Sequence, residues 1–287
     1  MKTVSPFKLA AINLAVVGVL SLTAASASAS DLAYLQSLLA ATSEGVWVKA
    51  STNKYSDAWA PAGDAVSGNV YPYSYASPGN VVTAWSSFAW DSSRGNLLLW
   101  GGGHGNYHGN EMYVWQGTNG AWTRGSLPSL VQLYAGGYVV VDDAAPMSAH
   151  TYAGNTYLRN NDMFVAFGGA AFNNGGAFLV RDQNGAFTKA GPWFWDPTKA
   201  DAMKVGGTTG SGYNPTRLGG EMWTNRFDQT NVNTPNNFIY ASTVYQDQGG
   251  VDVVYMYADP SGGNRGSLYK YTVGDVRNGG TDTWEKI

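Results

Sequence analysis

Apolar and polar positions alternate in short runs along most of this chain, and glycine, asparagine or aspartate closes each run. In one stretch, Trp85–Trp90 is followed by a turn at Asp91–Asn96 and an apolar run, Leu97–Trp100, that ends in Gly101-Gly102-Gly103. Glu111–Trp115 reads as a third strand, Asn119-Gly120 as a hairpin turn and Ala121–Arg124 as a fourth strand. A second stretch keeps the order: Ala149–Tyr152, Asn160-Asn161, Met163–Phe167 ending in Gly168-Gly169, Ala177–Val180, Asn184-Gly185 and Ala186–Lys189. Leu98–Gly102 aligns with Val165–Gly169, and Asn119–Thr123 with Asn184–Thr188, both at an offset of about 65 residues. A fainter copy runs Phe238–Ser242, Val251–Tyr257, Gly266–Tyr271 and Thr283-Trp284, without the double glycine.

One four-strand order used repeatedly predicts an all-β fold, specifically a β-propeller of four-stranded blades over residues 84–287. A β-sandwich with similar hairpins has no need to repeat the order. The two clear copies resemble kelch repeats of the galactose-oxidase-like propeller superfamily. The residues that carry the resemblance are Gly101-Gly102-Gly103 with Tyr113 and Trp122, and Gly168-Gly169 with Phe187. It covers residues 84–195 well and 235–287 poorly. The stretch Trp100–Tyr113 is also similar to a segment of exported bacterial propellers, which implies a fold and no activity. Repeats this long leave room for three to four blades, where kelch propellers usually close with six or seven. The expectation is therefore an incomplete, C-terminally truncated propeller. A small four-bladed ring and closure by a second chain are the alternatives, and an open ring allows self-association.

The first residues change the picture of where the chain works. Lys2 and Lys8, an apolar run from Leu9 to Leu22 and the small residues Ala27-Ser28-Ala29 form the three parts of a secretory signal. Residues 1–29 are read as that signal and 30–83 as a segment leading into the propeller. The mature protein is then secreted or periplasmic, with no membrane association after cleavage. The formal net charge of -3 provides no basic footprint for nucleic acid. The chain has no cysteine, so packing and strand pairing replace disulfides, and thiolate chemistry is excluded. A radical copper oxidase of the galactose-oxidase kind needs a cysteine joined to its tyrosine, so the resemblance does not extend to that activity.

The densest candidate chemistry is His104-Gly-Asn106-Tyr107-His108-Gly-Asn110-Glu111, a loop by its glycines. His104, Tyr107 and His108 are the candidate acid–base residues, and His104, Asn106, Tyr107, His108, Asn110, Glu111 and the distant Arg217 are the candidate ligand-binding set. Helical spacing of His104, His108 and Glu111 would suit zinc, but Gly105 and Gly109 break a helix, so neither metal nor cofactor is expected. His150, in the first strand of the second copy, reads as a hydrogen-bonded residue inside the blade. The primary functional reading is binding of a carbohydrate or other polar ligand through blade-connecting loops. A lyase-type enzyme using His and Tyr as acid and base, with Arg217 on a uronate carboxylate, and a structural or protein-interaction propeller are the alternatives.

Overall fold

The computed structural model describes residues 32–60, 77–129, 131–134, 137–140, 145–172, 179–181, 186–207, 218–228, 239–258 and 266–287. Among these the fold is mostly β, with α-helices only at Ala33–Ala40 and Asn80–Thr83. None of the described helices is long and apolar enough to cross a membrane. The expected signal, residues 1–29, lies outside the described residues, as do Arg217 and Phe238.

Three antiparallel four-stranded sheets dominate, and each pairs its strands in chain order. The first comprises Ser87–Asp91, Asn96–Trp100, Tyr113–Trp115 and Trp122–Arg124. The second comprises Asn155–Leu158, Met163–Ala166, Trp193–Trp195 and Trp223–Asn225. The third comprises Ser242–Asp247, Asp252–Ala258, Ser267–Thr272 and Thr283–Lys286. Local chemistry makes the turns. Asp91 accepts the Ser93 and Arg94 amides at 2.9 and 3.0 Å, closing the first hairpin. Asp247 accepts the Gly250 amide at 2.8 Å in the third.

The second copy differs from its sequence reading in three of four strands. Ala149–His150 pairs with Ala170–Ala171 outside the large sheet, and Asn155–Leu158 is the first strand instead. The stretch expected to supply strands three and four forms a separate hairpin, Leu179–Arg181 with Phe187–Lys189. Trp193–Trp195 and Trp223–Asn225 take those places. The expected turn, Asn184-Gly185, lies outside the described residues; a turn signal of that kind is local and does not say which sheet its hairpin joins. The faint third copy, by contrast, builds the sheet with the longest strands.

Leu98–Trp100 and Val165–Ala166 do occupy matching second strands, each flanked by two partners. The three sheets stack in order. Leu98, Trp100 and Val114 of the first pack on Phe164, Ala166 and Trp195 of the second. The alternate residues of the second, Val165, Phe167 and Phe194, pack on Val254, Met256 and Tyr271 of the third. Trp100, Trp195, Phe164 and Phe167 are fully buried, so truncating any of them costs about 3–5 kcal/mol.

Hydrogen bonds tie successive first strands together at one end of the stack. Asn155 donates to the carbonyls of Ser87 and Trp100 at 3.0 and 3.1 Å, and Thr243 donates twice to the Ala153 carbonyl. At the hairpin end, Arg94 grips Asp162 through two bonds of 2.6 and 2.7 Å, while Asp252 accepts the amides of Asn160 and Asn161.

The glycines after the second strands have positive φ: 141° and 94° at Gly101 and Gly102, 121° and 115° at Gly168 and Gly169. A Cβ on Gly169 would lie 1.6 Å from the His150 carbonyl oxygen. Gly249, at φ 66° in an exposed turn, has open space around it. Gly169→Ala is therefore expected to lose about 3 kcal/mol or more of stability, and Gly249→Ala only about 1 kcal/mol, read from urea unfolding midpoints.

Candidate functional site

The loop between the second and third strands of the first sheet is divided by depth. His104 is exposed and Asn106 half-buried, whereas Tyr107, His108, Asn110 and Glu111 are buried. Asn110 holds the loop in place. Its side chain donates to the Pro146 carbonyl and to Ser129 Oγ at 2.8 and 3.1 Å, and accepts the Ser129 amide at 2.7 Å. Glu111 Oε1 accepts the Tyr107 and Tyr113 hydroxyls at 2.5 and 2.6 Å. Burial pushes the Glu111 carboxyl above the usual carboxylate range. Gly109 is needed here, because a Cβ would sit 2.3 Å from the Tyr107 hydroxyl. This half of the loop is built into the interior.

The surface half joins groups from elsewhere. His150 Nε2 lies 2.8 Å from Asn106 Oδ1, so the amide oxygen accepts from the imidazole when Nε2 carries the proton. The His150 ring stands 5.4 Å from that of His104, 4.8 Å from Trp85 and 6.1 Å from Tyr152. Tyr152 in turn stands 5.2 Å from Tyr240. Desolvation, followed by the neighbouring His104, holds the His150 pKa below the ordinary histidine value and favours a neutral imidazole. Trp85 and Tyr240 are 61% and 62% exposed, a large apolar area in water.

These residues have equivalent places in the fold. Trp85, Tyr152 and Tyr240 each lie two or three residues before the first strand of their own sheet. Hydrogen bonding between neighbouring sheets brings them together; the Tyr152 amide donates to the Trp85 carbonyl at 2.7 Å. Trp85, His104 and Tyr152 have φ of 51°, 51° and 48°, three of the five non-glycine residues with positive φ among those described. Such conformations cost about 1–3 kcal/mol each and concentrate at binding and catalytic sites.

The candidate set from sequence is therefore split. His104 and Asn106 reach the surface cluster, whereas Tyr107, His108, Asn110 and Glu111 face inward. His150 is buried, at 3% exposure, and hydrogen-bonded to Asn106, as expected of it, with its ring against those of the cluster; Trp85, Tyr152 and Tyr240 were missed. Their common offset ahead of each first strand was the available signal, but it is visible only with the second sheet's strands correctly placed. Among the described residues, no group of three or more His, Asp or Glu side chains is arranged to hold a metal ion. Comparison with protein-family models, curated proteins and solved structures finds no match to this chain.

Burial pushes the His108 imidazole down from 6.5 to about 4. Between these values the unfolded chain binds the proton and the folded chain does not. The stability is complete above about pH 6.5 and falls as pH drops toward 4, by about 3 kcal/mol in total. His108→Gln is expected to flatten this acid-side loss, measured as the urea midpoint at pH 7 and pH 4.5.

Proposed function

We propose that the three stacked sheets are successive blades of a β-propeller and that the chain binds a carbohydrate at the end where the first strands begin. The blade reading is supported by the shared strand order, the constant face-to-face stacking and the contact of each first strand with the next. The binding reading rests on one observation: Trp85, Tyr152 and Tyr240 recur at the same place in each sheet and form an aromatic arc around His104 and His150.

The chemistry suits a sugar. The C–H face of a pyranose packs on an aromatic ring by dispersion and loss of apolar surface to water. Its hydroxyl groups need donors and acceptors at the ring edges. His104 and Asn106 supply these beside Trp85, and the Tyr152 and Tyr240 hydroxyls supply them further along. The backbone strain at Trp85, His104 and Tyr152 points the same way, since a purely structural end of a sheet has little use for it. We infer export from residues 1–29, which would bring such a site to extracellular or periplasmic glycans.

A lyase reading has one observation in its favour, the neutral His150 beside His104 and Tyr152. It would assign proton abstraction to His150 and protonation of the leaving oxygen to Tyr152, in place of the interior Tyr107 and His108.

Isothermal titration of the purified chain against neutral and uronate-containing oligosaccharides tests both readings. Trp85→Ala and Tyr240→Ala are each expected to weaken binding about tenfold, a loss of about 1.4 kcal/mol, without changing Tm. Unchanged affinity in both variants would remove the arc from the site. Release of unsaturated, ultraviolet-absorbing products that disappears in His150→Ala would favour the lyase.

A further inference from the structure

Glu111 ends the loop that presents His104 and Asn106, and it is 1% exposed. Its two carboxyl oxygens have unlike surroundings. Oε1 accepts the hydroxyls of Tyr107, from the loop, and Tyr113, from the third strand of the first sheet. Oε2 is buried and has no hydrogen-bond partner among the described residues. It faces the loop backbone at Gly109, where a Cβ would lie 2.4 Å from it.

The titratable groups around this carboxyl come from four elements. The loop supplies Tyr107 and His108, with rings 5.6 Å apart, and His108 is uncharged above about pH 4. The third strand supplies Tyr113, and the leading segment supplies Tyr55, whose ring stands 4.9 Å from that of Tyr113. The fourth strand supplies Arg124, but its guanidinium donates to the carbonyls of Ala58 and Ala202. No ion pair among the described residues involves Glu111. Val81 and Leu99 complete an apolar surround for the tyrosines. A buried carboxylate without a paired cation takes up a proton in preference to keeping its charge. The bonding pattern fits the acid, with Oε1 as the carbonyl oxygen that accepts twice and Oε2 as the hydroxyl. A bare neutral hydroxyl costs far less than a bare carboxylate oxygen. Burial outweighs both tyrosine hydroxyls and Arg124 in setting the proton affinity of this group.

We propose that Glu111 is a neutral carboxylic acid in the folded protein at neutral pH, and that this uncharged group is the anchor that positions the loop carrying His104 and Asn106. Tyr107 reaches Oε1 from the loop and Tyr113 reaches it from the sheet, so one oxygen fastens the loop to the strand behind it. Asn106 adjoins Tyr107 and contacts His150, so a shift of Tyr107 carries Asn106 away from His150. Glu111 is thus a positioning residue that acts on the surface cluster through Tyr107. The assignment rests on the loop's own geometry and holds whatever ligand the cluster takes.

Three measurements on the full chain test it. Infrared spectroscopy in heavy water at pH 7.5 should show the C=O band of a protonated carboxyl in the folded protein. The band should vanish in Glu111→Gln and move to higher frequency in Tyr107→Phe, where Oε1 loses a donor; the second variant identifies the band even where the first does not fold. Urea unfolding reads the linkage. The unfolded carboxyl ionises near 4.5, so above that pH the folded state holds one proton more and the group's stabilisation is lost as pH rises. Relative to Glu111→Gln, the wild-type unfolding constant should therefore grow about a hundredfold between pH 5.5 and 7.5, with His108 common to both chains and cancelling. Amide exchange reads the positioning: Tyr107→Phe should speed exchange across residues 104–109 about tenfold while the three sheets keep their protection. Absence of a protonated-carboxyl band at pH 7.5, or a ratio of unfolding constants that does not change with pH, would overturn the neutral acid. Unchanged exchange in the loop would overturn its role as anchor.

Discussion

The structure depends on a close passage of backbone past backbone. The chain leaving the first sheet's second strand runs through Gly101, Gly102 and Gly103 directly beside Ser148 and Ala149; a Cβ on Gly103 would lie 2.3 Å from the Ser148 carbonyl oxygen. The chain leaving the equivalent strand of the second sheet passes the other side of the same segment at Gly169. Only glycine permits this approach. Because the segment is held there, Thr151 accepts the Ser87 amide, Ser148 donates to the Gly101 carbonyl, and His150 comes within reach of Asn106. Sheet stacking and the surface cluster are thus two results of one steric fact.

That fact explains which parts of the fold were legible. The double glycines stood out because the constraint acts on the glycines themselves, and Leu98–Trp100 and Val165–Ala166 are matching second strands as a result. Asn119–Thr123 leads into the fourth strand of the first sheet as expected, whereas the similar stretch ending at Thr188, whose Asn184-Gly185 lies outside the described residues, misled because hairpin formation is local and says nothing about the sheet a hairpin joins. Trp193–Trp195 was the true third strand of its sheet. It is buried on both faces, so its continuous aromatic run lacks the alternation that signals a half-exposed strand. The third sheet was faint in sequence because its second strand has no double glycine, although its strands are the longest.

The candidate loop was legible as a place but not as a set of roles. Periodicity cannot sort His104 from His108, since Gly105 and Gly109 remove any regular spacing between them. Depth sorts them. His108 and Glu111 are desolvated, and the Tyr107 and Tyr113 hydroxyls are committed to the Glu111 carboxyl. The polar interior of the loop supports the short exposed turn that presents His104. The residues that complete the surface cluster are spread over about 155 residues of sequence, from Trp85 to Tyr240, and no local motif encodes such a meeting.

The central claim is that Ser87 and Thr151, at the start of neighbouring sheets, lie against each other in the folded chain. Their hydroxyl oxygens are 3.4 Å apart. Ser87→Cys with Thr151→Cys in this cysteine-free chain tests it directly, because an S–S bond of about 2.05 Å needs only a small further approach. Mild oxidation of the native protein should give a single intrachain disulfide, seen as faster migration on a non-reducing gel, with cooperative unfolding retained. Two free thiols in the folded, oxidised protein would contradict the account.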